Sequence, residues 1–322
     1  MKLDTVSLSL HTDYIINHNK TNYNHSQIRK PNGAVIDNYS LVTKSFGFES
    51  VCVNETYDYA NLKFNSKILK DNYYKGICLE TLDQIIDEIE NHGLKLDPAF
   101  LDDSNIKMVH ITDDISVLQH PAIYINALNN LIAPKFYKTV YDEGITFNEA
   151  IKNEKLYITV YGKEYQIKQD RRFFKAYPRQ IDYFKNKLRV ETKLSTRKTI
   201  HKHLDSYTLP EILASDSPNA HFLDKVIENQ LSFPSIFSCG NISCTEEKNL
   251  IYSKYLFDLY NGNRKAIVKH IKNRLSIGTN PTYQLKQLDS YLAIIANSED
   301  LFLKDNLNEL RSKLLIVDRV AA

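Results

Sequence analysis

Between residues 156 and 195 the sequence LYITVYGKEYQIKQDRRFFKAYPRQIDYFKNKLRVETKLS carries two runs of strict alternation, and these constrain the fold more than any other stretch. In the first run Leu156, Ile158 and Val160 alternate with Tyr157, Thr159, Tyr161 and Lys163. In the second, Leu188, Val190, Thr192 and Leu194 alternate with Arg189, Glu191 and Lys193. Successive side chains of a strand point to opposite faces, so each run predicts a strand with one apolar face and one polar face. Burying the apolar residues of both strands puts the tyrosines of one and the ionisable groups of the other on the same opposite face.

The preceding chain extends that sheet. LDTVSLSLHTDYII at the start reads as a strand with Leu3, Val6, Leu8 and Leu10 in the core, and 48–53 and 58–64 read as two more. Their mixed polar and apolar alternation suits an antiparallel sheet with one solvated side. The intervening HNKTNYNHSQIRKPNGAVIDNYS is polar, with a turn signal at Pro31, Asn32 and Gly33. Residues 80–91 form an amphipathic helix with Leu82, Ile85, Ile86 and Ile89 on one stripe, and Gly93 supplies its stop. A strand over 106–117 follows, with His110, Thr112, Asp114 and Ser116 on one face and Ile111, Asp113, Ile115 and Val117 on the other. A helix over 122–131 and a variable connection lead to Tyr157. This order predicts an α+β domain, an antiparallel sheet with helices packed on it. Beyond Leu194 the stripes become helical, punctuated by Gly262, the turn at 278–281 and Asn297, which predicts a domain over 1–205 and a small helical domain over 206–322.

Charge distribution is more informative than its total. From Lys152 to Lys202 there are fifteen Lys and Arg against five acids, although the whole chain is only +2. The basic segment therefore projects a field that attracts phosphate, and the remainder is net acidic. No apolar run approaches the ~18 residues that span a bilayer, and MKLDTVSLSL lacks the features of a signal peptide, so a cytoplasmic protein without a membrane partner is expected. Cys52, Cys78, Cys239 and Cys244 are too scattered for a disulfide framework and have no zinc-finger spacing.

Several groups carry candidate chemistry. Tyr161 beside Lys163 is a possible nucleophile and cation pair, because a tyrosine attacking a phosphodiester stores the bond energy as a phosphotyrosine ester and lysine offsets the charge that develops. Tyr157, Tyr165, Tyr177 and Tyr183 are rivals, and tyrosine is also simply a good strand residue. Asp114 and His110, with Glu191 on another strand, could hold Mg²⁺ or Mn²⁺, or else pair with Lys and Arg across the strands. His201 and His203 lie two apart at a helix start, so they do not face one another as paired ligands would. RRFFKAYPRQIDYFKNK interleaves Arg171, Arg172, Lys175 and Arg179 with aromatic rings, a pattern suited to single-stranded nucleic acid or to a solvated loop packed on the sheet. LYNGNRKAIVKHIKNRL is a weak helix-turn-helix candidate.

In order and spacing, four motifs resemble the phage and plasmid replication initiators of the filamentous-phage gene II/gene X type. They are LKFNSKILKDNYYKGI before an amphipathic helix, the strand VHITDDISV, LYITVYGKEYQI, and NKLRVETKLSTR. The likeness covers roughly residues 1–205. It implies a replication-initiator-like nuclease fold and a metal-dependent, rolling-circle initiator that nicks one strand at an origin, stays attached through a 5′-phosphotyrosine and rejoins the displaced strand. Carried over to this sequence, Tyr161 is the nucleophile with Lys163 beside it, Asp114 and Glu191 are ligands of Mg²⁺ or Mn²⁺ with His110 as a third, and Arg189 and Lys193 contact DNA. His110 and Thr112 replace the family's usual neighbours of the aspartate, and no His-hydrophobic-His motif is present. Tyr177 and Tyr207 remain alternative nucleophiles. The partners implied are single-stranded and duplex origin DNA, with a host helicase as a further candidate. The competing expectation is a non-catalytic DNA-binding regulator using the same basic surface.

Overall fold

A computed structural model describes residues 1–33, 35–41, 46–54, 56–131, 135–149, 156–228, 249, 252–253, 255–257, 259–260, 263–274, 286–292 and 301–320. Cys239, Cys244, Leu250, Gly262, the turn at 278–281 and Asn297 lie outside them.

The alternating segments meet in one ten-stranded, wholly antiparallel sheet. Its strands are β1 (Leu3–His11), β3 (Tyr23–Arg29), β4 (Val35–Leu41), β5 (Phe48–Asn54), β6 (Tyr59–Asn65), β8 (Asn105–Ser116), β9 (Phe136–Tyr141), β10 (Gly144–Glu149), β11 (Leu156–Gly162) and β12 (Lys187–Leu194). Across the sheet they run β3-β4-β5-β6-β1-β8-β12-β11-β10-β9, so β1, β8 and β12 are central. β2 (Ile15–His18) and β7 (Leu94–Leu96) pair separately.

One face is mainly apolar. Val6, Leu8 and Leu10 of β1 are buried as the alternation requires, and Leu3, before a register slip, is buried too, together with Ile111 and Ile115 of β8, Leu188, Val190 and Leu194 of β12, and Ile158 and Val160 of β11. Helices close over this face. In α1 (Leu82–Asn91) the residues Leu82, Ile85 and Ile89 are buried, and the chain leaves the helix through Gly93 at φ +90, where a side chain would be strained. α3 (Pro121–Asn130), α7 (Arg197–Leu204), α8 (Leu209–Ala214), α9 (Asn219–Glu228) and α11 (Leu301–Val320) complete the layer, and α2 (Phe100–Asp103) is a single turn.

Two hairpins replace segments expected as connections. The polar stretch before residue 42 forms β3 and β4 around the Pro31 to Gly33 turn, and 136–149 form β9 and β10. β3 and β9 are the edge strands, and six of the seven β3 residues are exposed, so no alternation marks it. Residue 206 is also not where the core divides. Leu209, Ile212, Phe222, Leu223, Leu310 and Leu314 belong to the same core as the sheet, whereas Leu256, Phe257, Ile267, Leu288 and Leu292 form a small core of their own around α10 (Arg264–Arg274).

The spacer between β11 and β12 is helical: α4 (Lys163–Gln169), α5 (Arg171–Ala176) and α6 (Gln180–Phe184). Its rings turn inward. Ile167, Phe173 and Phe184 pack with Tyr73, from the helical turn Ser66–Lys75, into a third small core at one end of the sheet's polar face. Burying a phenylalanine side chain stabilises by roughly 1.5–3 kcal/mol, about what stacking on a base offers, and needs no DNA. Phe173 and Phe184 are therefore lid residues.

Candidate active site under the helical lid

The polar face of β1, β8, β11 and β12 holds a cluster that begins with register. β12 pairs with β8 so that Arg189 lies opposite Asp114, Glu191 opposite Thr112 and Lys193 opposite His110. Tyr161 of β11 lies opposite Arg189 on the other side. Near the start of β1 the register to β8 slips between Leu3 and Thr5, and this irregularity sends the Asp4 carboxylate into the same space. Sequence reasoning missed Asp4, since an irregular strand start leaves no periodic mark.

Arg189, only 2% exposed, is the centre. Its Nε and Nη2 donate to the two oxygens of Asp114, both at 2.7 Å, and Nη1 donates to Asp4 Oδ1 at 2.7 Å. The Tyr73 and Phe184 rings lie over the guanidinium, at 6.0 and 5.4 Å. Burial pushes the Asp114 carboxyl up, but Arg189 outweighs it by charge and hydrogen bonds and holds the group below the usual carboxylate range. For Asp4 burial is again the largest effect, and Lys163, Arg189 and the Ser66 hydroxyl together overcome it and hold the carboxyl well below its usual value. Burial opposes the charge on Arg189 itself, and Asp114 more than restores it.

Lys163 is 1% exposed at the first turn of α4. Its ammonium donates to Gln166 Oε1 at 2.6 Å, lies 3.5 Å from the Tyr161 hydroxyl and 4.0 Å from Asp4 Oδ1. Burial first, and the charge of Arg189 second, lower its pKa to about 8 against the pull of three carboxylates. Tyr161 is half-buried and donates to Glu191 Oε2 at 3.0 Å, while His110 Nδ1 meets Glu191 Oε1 at 3.0 Å. A carboxylate only accepts, so Nδ1 carries the proton, and His110 Nε2 is left buried with no hydrogen-bond partner. Burial, then the negative charge of Glu191, pushes the Tyr161 phenol well above its ordinary value. The phenol stays protonated until a base takes its hydrogen.

The structure brings Tyr161, Lys163, Glu191, His110, Asp114 and Arg189 together. Arg189, expected on phosphate, instead points inward between two carboxylates. Asp114, expected on a metal, has both oxygens bound by Arg189. Glu191 is engaged by Tyr161 and His110, so of the three expected ligands only His110 Nε2 is unengaged. Among the described residues no group of three or more His, Cys, Asp and Glu could hold a metal ion. As arranged, the cluster does not fit the Mg²⁺ or Mn²⁺ shell that the resemblance implies.

The other candidates lie elsewhere. Arg171, Arg172, Lys175 and Arg179 are exposed on α5 and just before α6, and Lys193 is half-buried on the open part of the face. Tyr177 packs against Phe46 and Phe173, and Tyr183 against Tyr74 and Phe184. Tyr207 is 50% exposed and stacked on His201 at 4.3 Å, while His203 meets the Phe222 ring edge-on, so the two histidines have separate partners. Asp113 faces away, where Ser217 and Asn219 donate to it and tie α9 to the sheet. Cys78 is a free thiol. No helix among the described residues is long and apolar enough to cross a membrane. No protein-family model matches the chain, and no curated protein matches it.

Proposed function

We propose that this protein nicks and rejoins a DNA strand through Tyr161, as a rolling-circle replication initiator does. The observation that supports it best is the Tyr161 hydroxyl placed between a carboxylate that can take its proton, Glu191 at 3.0 Å, and a cation that can offset the resulting charge, Lys163 at 3.5 Å. In the forward step the phenol proton passes to Glu191 Oε2 and the phenolate oxygen bonds to phosphorus. The P–O3′ bond breaks, the released 3′ oxygen takes a proton from water, and the 5′ end stays on Tyr161. Rejoining is the reverse. His110 orients Glu191 through Nδ1, and Asp4 holds Lys163 and Arg189 in place. No step is assigned to a metal, because Asp114 is committed to Arg189.

A second reading, a DNA-binding regulator without catalysis, is favoured by the exposure of Arg171, Arg172, Lys175 and Arg179 beside a partly covered Tyr161. One experiment separates the two. Labelled single-stranded oligonucleotides tiling the DNA around the coding sequence are incubated with the protein in Mg²⁺, Mn²⁺ or EDTA and resolved under denaturing conditions. A covalent adduct, lost in Tyr161→Phe, is expected. DNA binding without adduct in any condition leaves the regulator, and an adduct that survives Tyr161→Phe moves the nucleophile to Tyr177, Tyr183 or Tyr207.

A further inference from the structure

An open pocket of about 350 Å³ lies beside the lid, lined among others by Lys2, Tyr74, Lys75, Cys78 and Tyr183. That volume falls at the lower end of the ~300–1,000 Å³ typical of small-ligand pockets. Its walls are continuous with the cluster just described. Tyr73 and Phe184 turn their rings toward Arg189, while their chain neighbours Tyr74 and Tyr183 line the cavity with rings 4.7 Å apart. The lysines outnumber the acids there. Lys75 is partly buried and, among the described residues, no ion pair or hydrogen bond engages its ammonium; Lys2 donates to the Tyr74 carbonyl at 3.4 Å, and Lys187, outside the lining, sits 3.3 Å over the Tyr183 ring. Glu80, exposed at the rim, is the one acid among the lining residues. An ammonium with no carboxylate partner is a place for an anion, and the aromatic surface that Tyr74 and Tyr183 leave toward the pocket is a place for a flat group.

We infer that this cavity binds one nucleotide, with its base against Tyr74 and Tyr183 and its phosphate on Lys75 and Lys2. Phosphate beside lysine and base on an aromatic platform are the two interactions by which single nucleotides are held. The nucleotide could be free or part of a strand. If it belongs to a strand, the inference rests on the nicking reading and adds a second grip on that strand, on the far side of the residues that cover Arg189.

Cys78 makes the test site-specific. It lines the cavity, whereas Cys52 lies on β5, outside the lining, and both residues are partly exposed. Alkylation of each thiol by iodoacetamide is followed by peptide mass spectrometry in the presence of dTMP, (dT)₈ or pyrophosphate. The expected result is that dTMP or (dT)₈ slows Cys78 at least fivefold and leaves Cys52 unchanged. Protection by dTMP identifies a free-nucleotide pocket, and protection by (dT)₈ alone identifies a strand subsite. Lys75→Ala should raise the concentration for half-protection about tenfold, and Tyr183→Ala more than Tyr183→Phe. Equal protection by pyrophosphate overturns the base contact, and no protection by any probe, or protection indifferent to Lys75→Ala, overturns the site. None of these outcomes depends on a covalent adduct, so failure here and failure of the nicking reaction are read separately.

Discussion

Arg189→Leu tests whether the centre of the cluster is a buried ion network. The substitution removes a guanidinium that makes three hydrogen bonds of 2.7 Å and leaves Asp114, 3% exposed at its side chain, with no cation in contact. Removing one partner of a buried pair costs about 3–5 kcal/mol, because an uncompensated charge remains in a poorly solvated place. With a urea m-value of about 3 kcal/mol/M, the midpoint should fall by roughly 1–1.7 M. Asp114→Leu combined with Arg189→Leu should recover about 2 kcal/mol relative to the sum of the single variants, since neither charge is then stranded. The pH dependence has a definite sign. In the wild type Asp4 and Asp114 sit below their unfolded values, so their contribution is complete above about pH 4 and is lost as pH falls further. In Arg189→Leu burial acts with less opposition and raises the Asp114 pKa above its unfolded value, so the variant loses stability as pH rises toward neutrality. The gap between the two proteins should widen from pH 4 to pH 7. A cost below about 1 kcal/mol, the level of an exposed salt bridge, with an additive double variant and a flat gap, would refute the buried network.

Lys163, lowered to about 8, should be protonated at neutral pH and lose its charge as pH rises. At 3.5 Å and an effective dielectric near 20, its attraction for a phenolate is about 4–5 kcal/mol. Lys163→Met should therefore slow adduct formation about 10³-fold in single-turnover assays. The wild-type rate should fall above about pH 8, and Lys163→Arg should move that fall upward; an unchanged profile in Lys163→Met removes lysine from the chemistry. Gly47→Ala should destabilise by more than about 1 kcal/mol in urea, because φ is +78 and a Cβ would lie 2.0 Å from the Ile68 nitrogen. Phe173→Ala should cost about 3–5 kcal/mol locally, read as faster amide exchange across α4–α6 and the Ser66–Lys75 turn than in the sheet.

The apolar half of the structure was legible where alternation was strict. β8, β11 and β12 each bury the face their sequence assigns, and β1 does so from Val6 onward, and that alone put Asp114, His110, Arg189 and Glu191 on one side. What was not legible falls into three physical kinds. Edge strands such as β3 are wet on both faces, so nothing in their composition separates them from loops. Asp4 reaches Arg189 across 185 positions of sequence and through a register irregularity, and neither has a local signature. The lid aromatics were misleading because interleaved rings and cations look the same whether rings face solvent or a core. The spacing of Phe173, Tyr177 and Phe184 around buried Tyr73 is set by helices too short to show a period.

If DNA is the substrate, as proposed, the burial of Arg189 and Lys163 decides what each can do to its phosphate. Arg189 is shut off from solvent by Tyr73 and Phe184, so as the lid stands it acts only through the field it creates, and much of that field is cancelled by Asp4 and Asp114 at hydrogen-bond distance. Its role is to fix geometry: without it two carboxylates would repel one another across the space that β1, β8 and β12 share. Lys163 is also enclosed, but its ammonium is 4.0 Å from Asp4 and only 3.5 Å from Tyr161 Oη, so under the nicking reading a charge formed on the phenol is the one it would stabilise. A phosphate can approach only through the half-exposed side of Tyr161, toward the open strands that carry Lys193 and His110. The strand would then lie along the sheet's polar face, with the basic outer surface of α5 at its edge. This division of labour predicts that Lys163 and Glu191 variants lose the covalent step while binding DNA normally, and that Arg171, Arg172 and Lys175 variants weaken binding and its salt dependence with the covalent step intact once bound. Measured adduct rates at saturating oligonucleotide, beside affinities across a salt series, would show whether the two groups separate in that way.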